Sequence, residues 1–298
     1  MARAITITLI IWLAFGLPAF AGEFEFASFD FPACTVTVPT GLNIRAQVVG
    51  LCPDDSGTHG FMLNLHSRSW IKFDVPGSTF TSASAINASG QIVGRWMDTQ
   101  GVNHAYVRAK NGRFATFEPT APCVQSTLNT VAHGINDLGQ IVGRCWDAKD
   151  NEHGFLRGQD GNFTIIDFPG AATTDAWAIS NTGEILGDYS DSAGFVHGFI
   201  LTAAGFRTID FPSARHSALR YMNARGDITG IYADSDVGPI HGFLLKNGVF
   251  RTVDLPGSIE TDVVIINNSG LMLGDYYDAN GNEHGFLAIE CSPSGCHN

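Results

Sequence analysis

An all-β fold, a six-bladed β-propeller of four-stranded antiparallel blades, is predicted by three features of this 298-residue chain. A triplet recurs as His59-Gly60-Phe61, His104-Ala105-Tyr106, His153-Gly154-Phe155, His197-Gly198-Phe199, His241-Gly242-Phe243 and His284-Gly285-Phe286, at intervals of 43 to 49 residues. Repeats of that length made from strand patterns form rings or stacks. A strand end of the Asp-x-Pro kind also occurs six times: Asp30-Phe31-Pro32, Asp74-Val75-Pro76, Glu118-Pro119, Asp167-Phe168-Pro169, Asp210-Phe211-Pro212 and Asp254-Leu255-Pro256. The first of these strands, residues 24–31, precedes every other element, whereas the last copy stops after Phe286-Leu287-Ala288 without one. The N-terminal strand is therefore expected to complete the last blade, closing a ring and hiding two sheet edges. A stacked β-solenoid is the alternative, but its repeats are usually shorter and lack tight hairpins.

Arg3 precedes an apolar run over residues 5–17, and Ala19-Phe20-Ala21 then offers small residues where signal peptidase reads. Residues 1–21 read as a signal peptide, because Pro18 ends the run short of the ~20 apolar residues that span a bilayer. No other segment is long and apolar enough to span, so a secreted protein, extracellular or periplasmic, is expected. One propeller should fill residues 22–290, with a tail over 291–298.

The copy over residues 73–113 shows the pattern of a blade. Phe73-Asp74-Val75-Pro76-Gly77 closes a strand, a variable linker follows, and residues 82–87 lead into the tight turn Asn87-Ala88-Ser89-Gly90. A second strand over 91–97, a turn opened by Asp98, a third strand from His104 and a fourth from Arg113 complete it. The turn recurs at Asn136, Asn223 and Asn267, with Ser180 replacing Asn in one copy and Ala46 standing in the Gly position of the first. A glycine also recurs inside the second strand at Gly50, Gly94, Gly143, Gly187, Gly230 and Gly274, where close approach of a neighbouring blade is expected.

Six cysteines in an exported chain point to disulfides, and the count alone allows 15 pairings. Cys34 with Cys52 and Cys123 with Cys145 occupy matching places in two repeats, which predicts those two bridges and leaves Cys291 with Cys296. No Cys/His cluster has metal-ligand spacing. Removing residues 1–21 takes away one Arg and no acid, leaving 16 basic and 29 acidic side chains and a formal charge of −13. Such a surface repels phosphate backbones, so nucleic acid is not an expected partner.

The phrases Ile86-Asn87-Ala88-Ser89-Gly90-Gln91-Ile92-Val93-Gly94 and Asp278-Ala279-Asn280-Gly281-Asn282-Glu283-His284-Gly285-Phe286 resemble the exported bacterial HAF repeat proteins, over about residues 24–290. The resemblance implies an exported repeat protein and carries no activity.

Each triplet follows an aspartate: Asp54 before His59, Asp98 before His104, Asp147 before His153, Asp191 before His197, Asp234 before His241 and Asp278 before His284. Six equivalent pairs argue for hairpin structure, since a catalytic site needs one special constellation. If each Asp faces its His, Trp96 should face Tyr106, Tyr189 Phe199, Tyr232 Phe243 and Tyr276 Phe286 across the hairpin. Cys52 and Cys145 stand where other copies carry the aromatic. Calcium would require six to eight oxygens, and no copy has EF-hand spacing; the Asp278 turn, rich in Asp, Asn and Glu, is the one place where it deserves a test.

Function is expected where the copies diverge, near the mouth of the channel. Three residues before each Asn or Ser turn lie Thr40, Ser84, His133, Trp177, Arg220 and Val264; five before add Asp175 and Asp262, and the linkers hold His216 and Glu260. The candidate ligand-binding set is His133, Asp175, Trp177, His216, Arg220, Glu260 and Asp262, with Trp177 a possible sugar-stacking platform. No nucleophile elbow, P-loop or HExxH phrase is present. The leading expectation is a non-enzymatic module for an extracellular glycan or protein, without a cofactor; the alternative is a hydrolase or lyase of extracellular polysaccharide at the channel mouth.

Overall fold

The computed structural model describes residues 19–21, 23–31, 34–119, 122–123 and 130–291, and every regular element in them is a strand. The first two are β1 (Ala19–Ala21) and β2 (Phe24–Phe29). A meander follows of β3 (Val38–Leu42), β4 (Gln47–Asp54), β5 (Gly57–Asn64) and β6 (Ser69–Phe73). The next is β7 (Phe80–Ile86), β8 (Ile92–Met97), β9 (Asn103–Arg108) and β10 (Phe114–Phe117). The third is β11 (Thr130–Ile135), β12 (Ile141–Trp146), β13 (Glu152–Arg157) and β14 (Phe163–Ile166). Then come β15 (Thr173–Ile179), β16 (Ile185–Ser190), β17 (Val196–Thr202) and β18 (Gly205–Thr208). After them lie β19 (His216–Met222), β20 (Ile228–Ala233), β21 (His241–Lys246) and β22 (Val249–Val253). The chain closes with β23 (Glu260–Ile266), β24 (Met272–Tyr277) and β25 (Glu283–Glu290).

These strands build a β-propeller. Three sheets are four-stranded, one is five-stranded in the order β1-β2-β25-β24-β23, and one is eight-stranded. The expectation of six separate blade sheets is corrected here: four sheets are single blades, while a lone parallel bridge between Thr58 and Phe80 joins β3–β6 to β7–β10. The N-terminal strand closes the ring as expected. Phe24 pairs with Glu290 and Phe29 with Gly285, so β2 lies between β25 and β1, and β3 packs on β23 and β24. The last residues of the expected signal peptide, Ala19–Ala21, pair as an edge strand with β2, and residues 1–18 lie outside the described residues.

The core lies between successive sheets. Across the closing seam, Phe29, Phe31, Leu42 and Val48 pack with Ile265, Leu273 and Leu287. The triplet aromatics Phe61, Tyr106, Phe155, Phe199, Phe243 and Phe286 are all fully buried, which is why the phrase repeats.

The register overturns the expected aromatic pairs. Trp96 faces His104, Tyr189 faces His197, Tyr232 faces His241 and Tyr276 faces His284, whereas the triplet aromatic faces the second-strand glycine, as Tyr106 faces Gly94 and Phe199 faces Gly187. The displaced aromatics stack on the imidazoles instead, with centroids 4.7 to 5.2 Å apart. This also revises the reason for the glycines. A Cβ at Gly187 would overlap the carbonyl oxygen of Asp175 and lie 2.8 Å from the Phe199 ring, both in the same blade, so a neighbouring blade is not what excludes it.

Cys34–Cys52 and Cys123–Cys145 are bridged, as the repeat phase predicts. Cys291 is also disulfide-bonded, and its expected partner Cys296 lies outside the described residues.

Candidate functional site

Each inner strand carries one β-bulge, and it falls at the same place in every copy. The register shifts between Pro39 and Gly41, Ala83 and Ala85, Ala132 and Gly134, Ala176 and Ala178, Leu219 and Tyr221, and Val263 and Ile265. The extra residues are Thr40, Ser84, His133, Trp177, Arg220 and Val264, the six positions counted back from the turns. A bulge re-aims a side chain that the strand would otherwise direct at a neighbouring sheet. All six line one axial cavity of about 190 Å³, walled by all six inner strands β3, β7, β11, β15, β19 and β23. Isoleucines 86, 135 and 179 and Tyr221 carry it into a wider mouth of about 390 Å³ at the Asn-turn end.

That mouth is held by side-chain amides. Asn87 Oδ1 accepts from the backbone of Ser89 and Gln91, which fixes its own turn. Its Nδ2 donates to the Asn136 carbonyl at 3.2 Å, in the next copy. The same reach runs from Asn43 to Asn87, from Asn136 to Ser180 and from Asn223 to Asn267. Gly90, Gly139, Gly183, Gly226 and Gly270 have φ between +78° and +87° in these turns, and Ala46 adopts +55° in the copy that lacks the glycine.

Of the seven candidate residues, five converge. His133 stacks on Trp177 with centroids 4.1 Å apart, and the Arg220 guanidinium lies 4.1 Å from the same ring. These two come from the strands flanking β15, so Trp177 is already stacked and does not present a bare sugar platform. Asp175 is 2% exposed, 3.0 Å from Arg144 Nη1 and 3.4 Å from His133 Nε2. Asp262 lines the cavity with Oδ2 3.7 Å from Arg220 Nε. His216 and Glu260 sit elsewhere, at the opposite ends of β19 and β23 from the Asn turns; His216 Nε2 lies 2.8 Å from Asp236.

A second ring of residues was not anticipated. Asp188 accepts from Trp177 Nε1 at 2.6 Å, Arg144 holds Asp175, and Asp275 lines the cavity. All three immediately follow a second-strand glycine, and their strand partners are Asp175, Val131 and Asp262. The signal existed, since that position reads Leu51, Arg95, Arg144, Asp188, Ile231 and Asp275 through the copies. It varies as much as the bulge does.

Crowded, buried acids shift one another. Burial, then the Asp175 charge, pushes Asp188 up to about 7. Burial, against the pull of Arg144, also pushes Glu152 up to about 7. Burial followed by Asp262 and Glu283 raises Asp275 well above the usual range, and burial raises Asp262 against the pull of Arg220. Asp175 goes the other way: burial alone would raise it, but His133, Arg144 and Arg220 together hold it low. Burial lowers His133 despite Asp175.

The triplet histidines lie at the other face; five of the six meet the expected turn acid, and each also takes a nearer one. The near partner of each Nδ1 is the acid of the Asp-x-Pro motif: His59 with Asp74 at 2.8 Å, His104 with Glu118 at 2.8 Å, His153 with Asp167 at 3.0 Å, His197 with Asp210 at 2.9 Å, His241 with Asp254 at 2.7 Å and His284 with Asp30 at 2.8 Å. The turn acids Asp54, Asp98, Asp147, Asp191 and Asp278 stand farther off, 3.2 to 3.7 Å from Nε2. Asp234 opens a longer turn, and its neighbour Asp236 pairs with Arg215 and His216. Both Asp278 oxygens accept from amides of Asn280 and Asn282. Among the described residues no group of three or more His, Cys, Asp or Glu is placed to hold a metal ion.

No family profile matches the chain, and no curated protein matches it in sequence. Solved structures match it in shape. A TolB-type protein from Agrobacterium tumefaciens superposes with a TM-score of 0.61 at 12% identity, over 91% of this chain and 98% of that one. The β-propeller domain of the Trilobed protease from Pyrococcus furiosus gives 0.55 at 9% identity, over 92% of each. A streptogramin B lyase gives 0.50 at 13% identity, over 89% and 97%. At such identities the likeness is one of fold, and the chain is similar to β-propellers over nearly all its length.

Proposed function

We propose that this chain is an exported, non-enzymatic β-propeller module that binds an extracellular glycan or protein at the Asn-turn end of its axis. In this reading the eight-stranded sheet acts as two blades, so six blades surround the channel, and the likeness to HAF repeat phrases belongs with it. One observation carries the proposal: the positions at which the copies differ most converge on one cavity. Two disulfides suit an oxidising compartment, and among the described residues no helix is long and apolar enough to cross a membrane. Probing the exported protein on glycan and protein arrays, alongside a turnover screen on mixed polysaccharides, tests it. Saturable binding without turnover is the expected result; turnover of any substrate overturns the non-enzymatic reading.

A second reading, a hydrolase or lyase at the channel mouth, draws on Asp188 and Glu152, which stand at about 7 and could each carry a proton at neutral pH. Under it, Asp188→Asn should abolish a turnover that the parent protein shows.

A further inference from the structure

Arg220 and Asp262 form a donor and acceptor pair that stays open. Arg220 is 14% exposed, and its guanidinium stands 3.7 Å from Asp262 and 3.8 Å from Asp188, hydrogen-bonded to neither. Asp188 accepts from the Trp177 indole, and the Asp262 side chain, 27% exposed, lines the cavity. A guanidinium that hydrogen-bonds neither carboxylate asks for acceptors, and an exposed carboxylate oxygen asks for a donor. Asp262 and Asp275 line the cavity and Asp188 stands beside Arg220, which opposes a free anion; Arg220 among them opposes a free cation. A neutral group that accepts and donates side by side fits both demands. Adjacent ring hydroxyls of a sugar, about 3 Å apart, are such a group.

The cavity limits how that group arrives. Its volume of about 190 Å³ lies below the ~300–1,000 Å³ of sites for larger ligands, and six strands close it on every side. A polymer cannot lie across it, so only an end can enter, along the axis from the Asn-turn mouth.

We infer that the axial cavity takes the terminal unit of a glycan, whose neighbouring hydroxyls accept from Arg220 and donate to Asp262. This rests on the binding-module reading. The test is an array of oligosaccharides with varied terminal sugars on fixed stems, printed before and after periodate cleavage of vicinal diols. Binding should follow the terminal sugar whatever the stem and vanish after periodate. Arg220→Lys and Asp262→Asn should each weaken it about tenfold or more. Ser84→Phe, on another wall, should block it independently if either of those variants fails to fold, which thermal melting reports. Binding that follows the stem, survives periodate or persists in the folded variants overturns the assignment. A protein ligand with no glycan bound overturns it too while leaving the binding module intact, whereas no binding to either array overturns both.

Discussion

One methyl group is enough to test the second-strand glycines. Gly187 has the Asp175 carbonyl on one side and the Phe199 ring on the other, both fixed by the blade's own strands. Gly187→Ala should therefore destabilise by roughly 1–3 kcal/mol, the usual range for overpacking. Gly101→Ala, in an open turn, makes a useful contrast, because it meets only a left-handed φ of +84° and no neighbour. Equal melting shifts for the two would refute the close-approach account. Two acids with raised values give a second test. Asp188 and Glu152 have folded values raised to about 7, so their contribution is fully present below the ordinary carboxylate range and is lost as pH rises through 7. Asp147 behaves oppositely: the Asn151 side-chain amide, then its backbone, hold it at about 2, so its contribution is lost as pH falls from its ordinary 3.8 toward 2. The melting temperature should decline between about pH 4 and 8, and Asp188→Asn should flatten that decline. Melting curves of wild type and variant that run parallel would show that Asp188 titrates normally. At this scale the sequence was half legible. His133, Trp177, Arg220 and Asp262 could be found by counting back from a turn, but Asp188 and Asp275 enter through register, and the register was set by Tyr106-type rings needing a glycine beneath them.

At the scale of elements, the bulge and the Asn turn work together. The turn fixes the end of the inner strand, and three residues before it the strand yields its extra residue to the channel. Among the described residues, the amide ladder that joins neighbouring turns makes no onward bond at Asn267 or at Ser180, whose hydroxyl caps its own turn by accepting from Thr182 and Glu184 but is too short to reach onward. Ser180→Asn should extend the ladder to the Asn223 carbonyl and stabilise the protein by about 0.5–1.5 kcal/mol, the net value of one hydrogen bond. A melting temperature at or below wild type would show that this seam is already satisfied. The strand count and turn type were readable because each has a local cause, such as a glycine at positive φ. The aromatic pairing was not, because one hairpin admits two registers that differ only in what the far side of the sheet can accommodate.

For the molecule as a whole, closure is the weak point of a ring. β1 and β2 come to their sheet from the far end of the sequence, and Cys34, just beyond β2, is bridged to Cys52 in β4. That disulfide ties the closing strand's exit to the first meander. Its sequence separation of 18 residues corresponds to ~3 kcal/mol in the chain-entropy account. Cys34→Ser with Cys52→Ser should lower the melting temperature and sharpen sensitivity to urea, and an unchanged midpoint would deny the bridge a role in closure. Ring closure itself was legible from one misplaced strand; the joining of two meanders at Thr58 and Phe80 was not, because a single backbone bridge leaves no side-chain signature.

The amide ladder has a further consequence. Asn43, Asn87, Asn136 and Asn223 each donate from the side chain to a backbone carbonyl of the next copy, and a carbonyl is the same whatever residue carries it. That bond alone sets no condition on the residue that follows it in the next copy. The bulge residue three places earlier can then differ from copy to copy, and the inward positions spell a word at the axis in which His133, Trp177 and Arg220, stacked on one another, must change together.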